Sequence, residues 1–157
     1  MGLDVLSIII SGCAFVFSLW SFVSERNRGR KEATIHAFDD LEEKICSKEY
    51  GELQKLDGAM VSKIVEGHER NNSLEQPKWD EITKGLALIE HFAVGVNAKV
   101  YDAETLNSMA GNFMIRLYNT LFPIIEQKQK SPDGKNNYKQ FEQMMKELKC
   151  LRPCSCV

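Results

Sequence analysis

The chain has 157 residues, of which 20 are basic and 22 acidic, giving a net charge of −2, and 43% of it is apolar. That length fits one domain of ordinary size, and so balanced a charge leaves no electrostatic footprint for nucleic acid. Glycine and proline are sparse, at ten and four residues, and they fall mostly between helical patterns, which favours an all-α chain.

From Val5 to Ser24 the sequence reads VLSIIISGCAFVFSLWSFVS, without a charge. Twenty residues at about 1.5 Å each make about 30 Å of helix, the thickness of a bilayer's hydrocarbon core. Trp20 and Phe22 lie near its C-terminal end, where aromatic rings suit the membrane–water interface. Arg26, Arg28, Arg30 and Lys31 follow directly, whereas the other flank holds only Asp4 and the α-amine. This bias predicts a single span with its N-terminus outside and the remainder in the cytosol. A cleaved signal peptide competes poorly, because Asp4 stands where a basic n-region belongs and SFVSER has no convincing small-x-small site. Within the run, Ser7, Ser11, Ala14, Ser18 and Ser21 recur at spacings of four and three. Such a small, polar stripe suits contact with another membrane helix, unless the hydroxyls only bond back to their own helix carbonyls.

Beyond the basic cluster, Ile35, Phe38, Leu41 or Glu42, and Ile45 predict a helix leaving the membrane, with Gly29 a place for it to bend. Leu53, Leu56, Met60 and Ile64 form a second pattern, weakened by Gly51 and Gly58. Glu66 to Lys78 reads as a polar loop. A third pattern, Trp79, Ile82, Leu86, Ile89, Ala93, Val96 and Val100, steps by three and four like a heptad seam. Leu88, Phe92 and Val94 add apolar surface to its other sides, as expected of a central helix. In the turn that follows, Asp102 is an N-cap candidate and Glu104 suits the first turn of the next helix. That helix carries Leu106, Met109, Phe113, Leu117, Leu121 and Ile124, with Pro123 inside it, and SPDGKNN ends it. Tyr138, Phe141, Met144 or Met145, and Leu148 mark a last amphipathic helix. The reading is therefore all-α: a transmembrane anchor at 1–24, a basic juxtamembrane segment at 25–31, and a helical domain at 32–149. That domain contains an antiparallel hairpin over about 78–130, and a Cys-rich flexible tail follows at 150–157.

Glu90 and His91 interrupt the apolar third helix. Neighbours on a helix point about 100° apart, and no second His, Asp or Cys sits at ligand spacing, so acid–base chemistry is disfavoured. A structural acid is the better reading. In a hairpin centred near Tyr101, Glu90 should face Asn112, with Arg116 one turn away, and a half-buried carboxylate needs such a partner. Gly95, one turn further, suits close approach by a neighbouring helix. Cys150, Cys154 and Cys156 put three thiols in seven residues. Without a CxxC pair or nearby histidines they specify no zinc site, although a thiolate site for a soft metal and a loose prenylation frame in CSCV stay open. Phosphate-loop, hydrolase and kinase motifs are absent, and no metal, cofactor or catalytic residue is expected.

The stretch LIEHFAVGVNAKVYDAETL, continuing to NFMIRLYNTLFPIIE, resembles a bacterial and phage family known as domain of unknown function 4760. The resemblance rests on Glu90, Gly95, Asp102 and Leu106, and it covers Ile82 to about Glu126 best. It implies an N-terminal membrane helix, a charged helical stretch, an apolar helix bearing a glutamate, and a last amphipathic pair; it implies no activity. The Cys-rich tail is not part of that likeness. Together these readings lead us to expect a helical interaction or regulatory module anchored in a bacterial inner membrane. It would act by self-association or through a protein partner. The alternative is an effector that perturbs the bilayer as an oligomer, and an enzyme is the least favoured class.

Overall fold

A computed structural model describes the backbone of residues 2–70, 72–131 and 134–152, with side chains from residue 10 onward. Among these residues five helices carry the fold: α1 (Gly2–Ile45), α2 (Gly58–Glu69), α3 (Gln76–Asn97), α4 (Ala103–Gln129) and α5 (Lys139–Cys150). Two 3-10 turns, Lys48–Tyr50 and Leu53–Lys55, connect α1 to α2, and there is no strand among the described residues. The chain is all-α.

α1 runs 44 residues without a break. Gly29 does not interrupt it, and the boundaries drawn at Ser24 and Lys31 fall inside this one helix. Its two ends have different surroundings. Every residue from 10 to 29 is exposed, including eight large apolar side chains from Ile10 to Val23 that are 51% to 69% accessible. From Arg30 onward the helix joins the bundle, and Phe38, Leu41 and Ile45 are buried. Burial of each contributes about 2 kcal/mol. The inward position one turn earlier is Thr34, which is fully buried, whereas Ile35 is turned outward. A heptad of 34, 38, 41 and 45 therefore replaces the expected start at Ile35. Among the described residues no helix is long and apolar enough to cross a membrane, and the uncharged run 5–24 lies partly outside those whose side chains are described.

α3 is the central helix. Trp79, Ile82, Leu86, Ile89, Ala93 and Val96 are all 1% exposed or less. Val100 is not buried, because α3 ends at Asn97 and the chain has already turned away. Pro77 sits in its first turn, where a missing amide costs nothing. α2 starts later than the apolar pattern suggests, because Asp57 caps it by accepting from the Met60 amide at 2.7 Å. It also runs to Glu69, into the segment expected to be loop. α4 continues through Pro123 and buries Leu106, Leu117, Leu121 and Ile124, but Ala110 and Met114 take the inward places next to an exposed Met109.

The helix pair α3–α4 keeps the antiparallel sense of the expected hairpin, but not its expected side-chain pairing. The two helices reverse through the turn at 98–102 and are antiparallel, since the Lys128 ammonium near the end of α4 lies 5.3 Å from the Trp79 ring near the start of α3. Their backbones approach each other less closely than either approaches the remaining helices. Instead α5, α2 and the inner half of α1 each pack against both of them. Phe38 of α1 meets Phe92 of α3 and Phe113 of α4, with ring centroids 6.3 and 6.4 Å apart. On α5, Phe141 meets Tyr118 of α4 edge-to-face at 5.2 Å. Side chains still meet across the pair at Trp79 and Lys128, but along the middle of α3 the nearest neighbour of Glu90 is α5 rather than α4.

Candidate functional site

The residues that join the projecting half of α1 to the bundle form a connected polar cluster. Arg30, one turn below Thr34, extends its Nη2 to the Tyr101 carbonyl at 3.3 Å and lies 3.9 Å from an Asp102 carboxylate oxygen. The Thr34 hydroxyl donates to the Arg30 carbonyl at 2.7 Å and accepts the Asp102 amide at 2.7 Å. Asp102 in turn caps α4: one carboxylate oxygen accepts the Thr105 amide at 2.9 Å and the Thr105 hydroxyl at 2.7 Å. The helix–turn boundary between α3 and α4 is thus satisfied by α1. Burial pushes the Asp102 carboxyl upward, but the Thr105 hydrogen bonds and the charges of Arg30 and Lys31 outweigh it, so its pKa lies below the ordinary value. Arg30 Nε is buried without a partner among the described residues. Arg30 therefore serves as a structural strut, while Arg26, Arg28 and Lys31 are exposed. Arg28 reaches only Glu32, one turn on, at 3.1 Å.

Gly95 belongs to the same corner. It was expected to admit a neighbouring helix. The close neighbour is instead the Tyr101 ring from the returning turn, which leaves no room for a Cβ at position 95. That ring also stacks on Phe92 at 5.2 Å. The glycine of α3 that does admit another segment is Gly85, where a Cβ would meet the Tyr50 carbonyl at 2.9 Å and Leu53 at 2.8 Å. Sequence reasoning passed over it.

Glu90 has a different partner from the one expected. Its two carboxylate oxygens accept the backbone amides of Gln140 at 3.0 Å and Phe141 at 2.8 Å. These amides lie in the first turn of α5, whose own cap residue, Tyr138, has a left-handed backbone (φ 61°) and offers no side-chain cap. Glu90 is therefore the N-cap of α5, supplied from another helix, with a negative charge at the positive end of the helix dipole. Burial pushes the Tyr138 hydroxyl's pKa up, and the nearby Glu90 charge adds to it. Asn97, two turns along α3, donates to the Gln140 carbonyl at 2.9 Å and to its side-chain oxygen at 2.8 Å. Asn112 accepts from Arg152 at 2.6 Å rather than meeting Glu90. Arg116 is exposed and makes no hydrogen bond or ion pair among the described residues. The reason is the packing of α5 against α3, which brings a helix end to the carboxylate before α4 can reach it. His91 is exposed beside it.

The small-residue stripe on α1 is only partly visible. Ser11, Ala14, Ser18 and Ser21 are exposed, and the side chain of Ser7 lies outside those described, as do Cys154 and Cys156. Cys13, Cys46 and Cys150 are free thiols. The arrangement offers no group of three metal-ligating side chains among the described residues. What it shows is a long helix tied at Arg30 and Thr34 to the corner between α3 and α4.

No curated protein and no solved structure matches the chain. The family model described as domain of unknown function (DUF4760) matches residues 8–148, which takes in the outer half of α1, the joint and all four later helices up to Leu148. The chain belongs to the DUF4760 family.

Proposed function

We propose that the protein is a helical interaction module held in the cytoplasmic membrane of a bacterium by the outer half of α1, with its bundle in the cytosol. The single observation that carries this reading is the bare apolar half of α1. Eight large apolar side chains between Ile10 and Val23 stand in solvent on all sides of one helix, and exposed apolar surface on that scale calls for a bilayer or a protein partner. Upstream, Val5 to Ile9 extend the uncharged run, and downstream the basic residues 26, 28, 30 and 31 favour the cytosolic side. Self-association follows from the small face of the same helix, where Ser11, Ala14 and Ser18 leave room for a second helix.

Crosslinking of the full-length protein in native membranes tests the reading. Replacing Ser11 and Ser18 together by Ile should reduce the dimer yield, because the added volume blocks close approach on that face. An unchanged yield removes the self-association contact. Recovery of the parent protein in the soluble fraction after carbonate washing removes the anchor itself.

A further inference from the structure

The corner between α3 and α4 is held from two sides. α3 ends at Asn97 with Ala98 as its cap, and the amides of Val100 and Tyr101 close on the Gly95 carbonyl at 3.0 and 3.1 Å. On one side α1 grips the main chain of this corner: Arg30 donates to the Tyr101 carbonyl and Thr34 accepts the Asp102 amide. On the other side the corner reaches α5. Asn97 donates to both oxygens of Gln140, backbone and side chain, and the Lys99 ammonium pairs with Glu147. α1 and α5 themselves approach each other far less closely than either approaches α3.

The backbone of the corner is not relaxed. Lys99, just past the cap, has left-handed φ of 61°. Glycine is the usual residue there, because a Cβ disfavours that conformation. A lysine in its place supplies a side chain that reaches α5. Each tie also leaves a polar atom short: Arg30 Nε and Asn97 Oδ1 are buried without a partner among the described residues. A strained turn keeps its shape only while its surroundings hold it, and here the surroundings are α1 on one edge and α5 on the other. We propose that residues 97–102 couple α1 to α5, so that loosening the tie to α1 loosens the first turn of α5, and the reverse. The device is independent of the membrane reading, since its contacts all lie between residues 30 and 147. Whatever meets the outer half of α1 then bears on how firmly α5 is seated.

Residue-resolved amide exchange of the full-length protein in phosphatidylcholine nanodiscs tests the coupling in both directions, with each rate taken relative to the Leu86 amide in the middle of α3. Thr34→Val touches no residue of α5, yet it should speed exchange of the Gln140 and Phe141 amides about threefold, within the range of coupling between linked elements. Asn97→Ala touches no residue of α1, yet it should speed exchange of the Asp102 amide by a similar factor, because coupling is reciprocal. Asp57→Ala is the control: it removes the cap of α2 and should leave both relative rates at the parental value. Faster exchange at Asp102 in Thr34→Val with Gln140 and Phe141 unchanged overturns the proposal, as does an Asp102 rate indifferent to Asn97→Ala. Equal acceleration of α5 by Asp57→Ala also overturns it, because the effect would then be general loosening of the bundle.

Discussion

Replacing Glu90 probes how α5 is held. Its carboxylate accepts two amides in the first turn of α5, and no other side chain caps that end. Loss of an N-cap costs about 1 kcal/mol, and loss of a carboxylate at a partly buried helix N-terminus removes up to ~2 kcal/mol more. These overlap, because the hydrogen bonds carry part of the dipole effect. Glu90→Leu should therefore destabilise the bundle by about 2–3 kcal/mol once the two half-buried amides are left without their acceptor. In a chain of this length each kcal/mol is worth ~2–4 °C of melting temperature, so a fall of about 4–12 °C is expected. Glu90→Gln keeps one accepting oxygen and loses the charge, and should cost about 1 kcal/mol. Amide exchange resolves the effect in place: Gln140 and Phe141 should lose protection in Glu90→Leu before the rest of α5 does. Arg116→Met is the control, with a change within about 0.5 kcal/mol expected for an exposed residue without a partner. A Glu90→Leu protein as stable as its parent, or one whose Gln140 and Phe141 amides exchange at the parental rate, refutes the cap.

The joint gives two further expectations. Thr34→Val keeps the shape but leaves the Asp102 amide without its acceptor, so it should cost about 1–3 kcal/mol by denaturant unfolding and speed exchange of that amide. Asp102 has its pKa lowered in the folded state. Its contribution is therefore complete above the unfolded carboxyl value of about 3.9 and is lost as pH falls through the lower folded value. The stability gap between the parent and Asp102→Asn should thus be constant above about pH 5 and close progressively in more acid solution. A gap that widens on acidification contradicts the hydrogen-bonded, ionised Asp102.

Much of this architecture was legible from helical period alone. The seam from Trp79 to Val96 fixes which face of α3 is buried, because six apolar residues at spacings of three and four admit one inward face. Asp102 was readable as a cap from its place before Ala103 and Glu104, since capping is local chemistry. The partner of Glu90 was not readable, because it depends on which helix lies against α3, and a 3.6-residue period carries no information about neighbours. The short turn at 98–102 suggested that α4 would fill that place, but α5 packs against both helices and presents its amides instead. Thr34 was missed for a related reason. Ile35 is the more apolar residue, yet the inward place one turn before Phe38 must meet the Asp102 amide, and a hydroxyl satisfies it where an isoleucine cannot. Gly85 and Gly95 look alike in sequence, and only the path of the chain through Tyr50 and Tyr101 separates their roles.

The central claim is that the outer half of α1 is sheltered by a bilayer with the bundle on its cytosolic side. Cys13 lies within the bare apolar half, and Cys150 is exposed at the end of α5. Cys46 is a poorer reporter, because burial pushes its thiol pKa up and Glu42 adds to the effect. Single-cysteine proteins retaining Cys13 or Cys150 can be treated with a membrane-impermeant maleimide, in intact cells and in inverted inner-membrane vesicles. Cys150 should react in the vesicles and not in the cells, while Cys13 should react in neither until detergent is added. Modification of Cys13 in sealed vesicles as fast as that of Cys150 would contradict the account.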